Sequence, residues 1–180
     1  MRWERLFADL EAQLAAEANR DLASEVADRT RHERSLLDLS ARLLSGLGST
    51  VTVAAGTASL TGRLLDVGGG WLLLEPVAGR SVLVPFSAVD AVRGLGPRAS
   101  APTVLGRSFG LASALRAVSR DRAVVQVAQR SGRTTIGTID MVGADHVELA
   151  EHAPDEPRRP ANVHGVVLVP FLALVSVRRL

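Results

Sequence analysis

The chain has no cysteine and no lysine, and aromatic residues make up only 3% of its 180 positions. Without cysteine there is no disulfide framework, no thiolate metal centre and no cysteine nucleophile. Without lysine there is no P-loop, a motif that also needs a helix after its glycines. The run Gly68-Gly-Gly70 leads instead into a strand pattern. With so few aromatics, the core must rest on Val, Leu, Ile and Ala. No apolar run reaches the length of a membrane span. The first ten residues, Met1 to Leu10, carry charges at helical spacing where a signal peptide would be apolar. A cytoplasmic location is expected.

What is present is arginine. All 21 basic residues are Arg, against 19 acids, for a net charge of +2. Together with the abundance of Ala and Gly, this reads as the codon bias of a GC-rich bacterial genome. The high isoelectric point follows from arginine alone, which stays charged at high pH, and is not a sign of nucleic-acid binding. Residues 107–180 are the most basic third, with 10 Arg against 7 acids.

The chain also repeats itself. Residues Gly62 to Leu74 align with Gly137 to Leu149 without a gap, at an offset of 75. A second block, Leu83-Val-Pro-Phe-Ser-Ala-Val89, aligns with Leu168-Val-Pro-Phe-Leu-Ala-Leu174 at an offset of 85. The reading is one duplicated unit, with ten extra residues in a loop of the second copy.

The first 46 residues predict helix. Trp3, Leu6, Phe7, Leu10 and Leu14 share one face, and no Pro or Gly occurs before Gly46. Either one long helix runs through, or Asn19-Arg20-Asp21 turns between two. That apolar face packs on its own domain or serves as a dimerisation arm, since a polar mid-section needs solvent or a partner. Beyond Gly48 the period changes to two. Val51–Val53, Leu60–Leu64, Trp71–Leu74, Ser81–Val84 and Val89–Val92 are five short strands separated by turn residues, the pattern of a small closed barrel. Residues 94–102 read as a linker, and 104–119 as a short helix that starts nearer Gly110 if its glycines weaken the first turns. Val124-Val-Gln-Val127 opens a second set of strands. The expected class is α+β, divided as 1–48 helical, 49–95 first barrel, 96–103 linker and 104–180 helix plus second barrel.

A helix followed by five strands resembles the Sm-like (LSm) family. Gly62-Arg-Leu-Leu-Asp-Val67 and Gly137-Thr-Ile-Asp-Met-Val142 are similar to its first motif. Val92-Arg93-Gly94 matches the end of its second, and Val177-Arg178-Arg179 matches without the glycine. PRC-type barrels share the glycine-hydrophobic rhythm and are the alternative. The resemblance implies two Sm-like, SH3-like barrels with open fourth and fifth strands. These edges are expected to pair within the chain, or the chain to dimerise through its N-terminal helix, in preference to three chains closing a ring. The residues that read RNA in the family are an Asp and an Asn. Here those places hold Gly68 and Leu72 in one copy, Gly143 and Val147 in the other. Trp71 and His146, just before the Asn position, remain to stack on a base, although a core or loop-capping role fits Trp71 better.

Charge is the other route to nucleic acid. Arg116, Arg120, Arg122, Arg130 and Arg133 fall close together against the single acid Asp121, as a phosphate-binding patch or as a solvated helix end complementing the dipole. Catalytic signals are poor. Gly106-Arg-Ser-Phe-Gly110 spells a nucleophile elbow around Ser108, but a Pro-rich linker precedes it where a buried strand is required. His146 and His152 lack a ligand spacing and read as exposed loop residues, and the stretch Glu151 to Ala161 reads as a mobile loop. No enzyme activity, metal or cofactor is expected. The expected function is an adaptor or scaffold, with Trp3, Leu6, Phe7, Leu10 and Leu14 as the partner-binding face. The alternative is a weak, sequence-nonspecific RNA-binding regulator using the arginines and Trp71.

Overall fold

A computed structural model describes residues 25–29, 31–32, 35–77, 79–96 and 109–180. The chain divides into two compact units, Met1–Asp38 and Leu39–Leu180. In the first, residues 25–29, 31–32 and 35 are helical, whereas Leu37 and Asp38 are not. A single helix through to Gly46 is thereby excluded. Asp38 stands just before the next helix, at the position where Asp is favoured as an N-cap. The expected turn at Asn19-Arg20-Asp21 lies outside the described residues.

The second unit opens with helix α1 (Leu39–Leu44), which buries Ala41 and Leu43. The Gly46 amide donates to the Leu43 carbonyl at 2.8 Å as the helix ends. Gly48 then turns with φ +79° and donates to the Leu64 carbonyl at 2.8 Å. The left-handed conformation suits glycine because no Cβ clashes there.

Ten strands follow among the described residues. They are β1 (Thr50–Ala55), β2 (Ala58–Gly68), β3 (Trp71–Pro76), β4 (Val82–Pro85), β5 (Val89–Arg93), β6 (Val124–Gln129), β7 (Thr134–Val142), β8 (His146–Glu151), β9 (Gly165–Pro170) and β10 (Leu174–Arg179). Helix α2 (Leu111–Arg120) precedes β6. It begins just after Gly110, as its glycines predict, and packs on β7. The protein is α+β.

The strand order is β5-β1-β2-β3-β4-β10-β6-β7-β8-β9, so the same five-strand order occurs twice. Details recur with it. A bulge interrupts the β2–β3 register between Leu64 and Asp66, and the β7–β8 register between Ile139 and Met141. Each Pro-Phe pair starts a 3-10 turn, Phe86–Ala88 and Phe171–Ala173. The Phe86 amide donates to Gly70, and Phe171 to Asp145, at 2.8 and 2.7 Å. Gly62 and Gly137 lie where the next strand's backbone crosses closely. A Cβ on Gly62 would sit 2.5 Å from the Glu75 carbonyl oxygen, and one on Gly137 would overlap the Ala150 carbonyl.

One expectation needs correction. The strands of the expected first barrel, within 49–95, and of the second, within 104–180, do not form separate sheets. β4 pairs with β10, Leu83 opposite Val177 and Val82 opposite Arg178, and joins all ten strands into one antiparallel sheet. The physical reason is the row of unpaired amides and carbonyls that β4 would otherwise expose. Edge pairing within the chain is one of the two arrangements the sequence favours; the other, a dimer through the N-terminal helix, rests on residues outside those described. Each half still gathers its own core. Leu43, Leu64, Leu72 and Leu74 centre the first, and Leu115, Ile139, Val147 and Leu149 the second. Aliphatic residues dominate both, as the scarcity of aromatics requires. Trp71 and Leu83 belong to the second cluster although they sit on strands of the first half.

Candidate functional site

The N-terminal face of Trp3, Leu6, Phe7, Leu10 and Leu14 lies outside the described residues. The other candidates lie in the second unit, and three of the five arginines already have partners there. Arg122 follows α2 in a left-handed conformation, φ 51°, and reaches Asp140 at 3.6 Å. Arg133 pairs with Glu151 at 3.5 Å. Arg130 is committed to the fold. Its Nε donates to the Leu172 carbonyl at 2.6 Å, and its Nη2 donates to the Ser87 carbonyl, so it ties together the 3-10 turns of the two halves. Arg116 and Arg120 make no ion pair among the described residues. Arg120 has only a long contact, 3.4 Å, from its Nε to the Arg116 carbonyl. The five arginines therefore do not form one continuous patch of free charge.

Trp71 is 7% exposed. Its ring lies over Gly68, where any Cβ would overlap it, and its Nε1 donates to the Phe109 carbonyl at 2.8 Å. The buried ring leaves little face for a base to stack on. The second half repeats the device. A Cβ on Gly143 would sit 2.5 Å from Cε1 of the His146 ring, and His146 Nδ1 lies 2.8 Å from Asp145 Oδ1. In both places the ring occupies the space that a side chain at the glycine position would need. The neighbouring positions Leu72 and Val147 are both fully buried.

His152 departs from its expected exposure. It is 3% exposed. Its Nδ1 donates to its neighbour's carbonyl, Ala153, at 2.8 Å, which leaves Nε2 to accept from the Thr138 hydroxyl at 2.9 Å. It is a satisfied structural histidine. The adjoining loop is also pinned: Arg158 forks onto both oxygens of Asp140, with Nε to Oδ1 at 3.0 Å. Hydrogen bonding, and then the charge of Asp140, raise the Arg158 guanidinium above its usual value. No cluster of metal-ligating side chains occurs among the described residues, and no helix there is long and apolar enough to cross a membrane.

Sequence reasoning missed a groove between α2 and the outward face of β3 and β4. Two adjoining hollows of about 500 and 470 Å³ share Leu73, Leu83 and Val118 as their floor. Trp71, Phe109, Arg116 and Arg120 line one end, and Arg80 and Arg179 the other. The sequence does hold its signal. Trp71-Leu-Leu-Leu74 and Val82-Leu-Val84 are apolar at every position, the mark of strands covered on both faces. The equivalent His146-Val-Glu-Leu149 alternates polar and apolar, the mark of a strand with one face to water.

No protein-family model matches this chain, and neither curated proteins nor solved structures provide a match.

Proposed function

We propose that this chain is a non-enzymatic scaffold, built from two duplicated Sm-like barrels fused edge to edge, with a helical N-terminal arm that recruits a protein partner. Support for the duplicated barrels comes from the repeated strand order, the equivalent bulges, the equivalent Pro-Phe turns and one aliphatic core per half. The PRC-type alternative accounts less well for the helix that precedes each set of five strands.

One observation carries the scaffold reading. At the internal junction Leu83 and Val177 face each other and are 4% and 3% exposed. Their counterparts at an offset of 85 are Leu168 on β9 and Val92 on β5, and both strands are sheet edges. Leu168 is 59% exposed and its neighbour Val166 is 55% exposed. The chain has thus used one copy of a junction and left the complementary halves of a second copy open. An uncovered apolar edge strand is a template for pairing. The two edges differ, so pairing between chains is head to tail, and it closes into a ring or continues.

The RNA-binding alternative rests on Arg116 and Arg120 once Arg122, Arg130 and Arg133 are set aside, and Trp71 contributes little exposed face to it. Binding of that kind would be weak and steeply salt-dependent. Light scattering over a concentration series tests the scaffold. The expected result is mass above the monomer that rises with concentration, and return to monomer on Leu168→Arg. A wild-type chain that stays monomeric throughout would overturn the edge-pairing reading.

A further inference from the structure

The groove between α2 and the β3–β4 face combines an apolar floor with an excess of arginine in its lining. Leu73, Leu83 and Val118 make its floor apolar along both hollows. The acids nearby are spoken for: Glu75 pairs with Arg63 at 2.8 Å and Asp121 with Arg179 at 3.2 Å. Arg116 and Arg120 at one end and Arg80 at the other make no ion pair among the described residues. Among the described residues two further acids lie near these cations: Asp66, whose carboxylate accepts the Val67 amide at 2.8 Å, and Asp140, which lines a neighbouring hollow with Arg116 and Arg120 but is held by Arg122 and Arg158. Phe109, at the mouth, is 62% exposed.

We infer that this groove docks a short acidic segment of a partner protein, one whose apolar side chains enter the two hollows while its carboxylates meet Arg116, Arg120 and Arg80. Arginine is suited to that task because its planar fork matches a carboxylate. A nucleic acid fits the charge but not the floor. Base edges laid on Leu73, Leu83 and Val118 would lose their hydrogen bonds to water and find no replacement. The inference names a partner class for the scaffold. It uses neither β5 nor β9, so its failure leaves edge pairing standing.

The full chain carries the test. Trp3→Phe leaves Trp71, at the groove wall, as the remaining tryptophan. The probe is a fluorescein-labelled peptide in which leucine pairs alternate with Glu and Asp. Controls are the same peptide with Lys for each acid, and an oligouridylate of equal charge. The acidic peptide is expected to raise its anisotropy on binding, and its unlabelled form to shift Trp71 emission. Arg116→Ala with Arg120→Ala should weaken binding by about tenfold or more and flatten its salt dependence. Ala117→Phe is the second variant, because Ala117 is exposed and lines the groove. It should fill the groove and abolish binding with all arginines in place. Three results would each overturn the inference: no anisotropy change with the acidic peptide, binding unaffected by Ala117→Phe, or binding of oligouridylate in preference to the peptide. The last would assign the surface to nucleic acid.

Discussion

Leu83 and Leu168 occupy the same place in the two halves of the sheet, each two residues before a Pro-Phe pair, yet one is 4% exposed and the other 59%. The difference is not local. Both lie on short strands, and both strands pair on one side with an equivalent neighbour. What differs is the other side, where β4 meets β10 and β9 meets nothing among the described strands. Burial at an edge strand is thus a property of what docks there. The same contrast runs through the turn after each helix. In the first half the amide of Gly48 satisfies the Leu64 carbonyl. In the second, Arg122 holds the corresponding left-handed position, and the equivalent Ile139 carbonyl is satisfied by the Ser119 hydroxyl at 3.0 Å. Two sequences reach one backbone path with different donors.

Truncating equivalent core leucines strains the comparison most. Leu74→Ala and Leu149→Ala remove fully buried side chains at the same place in the two cores, and each should lower stability by about 2–5 kcal/mol. Because β4 and β10 join the halves, either variant should shift a single urea transition. Two separated transitions would show that the halves fold independently. Next come the close crossings. Gly62→Ala and Gly137→Ala force a Cβ against a neighbouring carbonyl, for an expected loss of about 1–3 kcal/mol. The loss should be greater at Gly137, where the overlap is deeper, and a reversed order in thermal melts would break the equivalence. The smallest effect is at the left-handed turn. Gly48→Ala should cost about 1 kcal/mol. Arg122→Gly should gain up to about 1 kcal/mol, since the long contact it gives up with Asp140 is worth little and Asp140 keeps Arg158 as its partner.

Much of this architecture was legible because short sequence blocks recur. Glycine at 62 and 137 and Pro-Phe at 85–86 and 170–171 recur at fixed offsets, and each marks a backbone requirement: a close crossing or a tight connection. The strand positions followed from period-two patterning and turn residues. The joining of the halves was less legible, because edge pairing depends on which strand is left uncovered and no residue type announces it. The arginine patch misled for a related reason. Proximity in sequence placed Arg130 beside Arg133, but the fold turns Arg130 onto the Ser87 and Leu172 carbonyls. His152, in what read as a loop, is buried because Thr138 on the neighbouring strand supplies a hydroxyl that the sequence does not connect to it. The groove was half legible, in strands without polar alternation.

The central claim is that β9 of one chain pairs with β5 of another in the manner of the β4–β10 junction. Cysteine trapping tests it most directly, since the chain has no cysteine of its own. Val92→Cys and Leu168→Cys together stand in for the facing pair Val177 and Leu83, at a cross-strand separation that a disulfide or a short bis-maleimide spans. The account predicts covalent multimers from the double variant on a denaturing gel, and at most simple dimers from either single variant. A double variant that stays monomeric after oxidation and cross-linking, at concentrations where wild type scatters as a multimer, would contradict it.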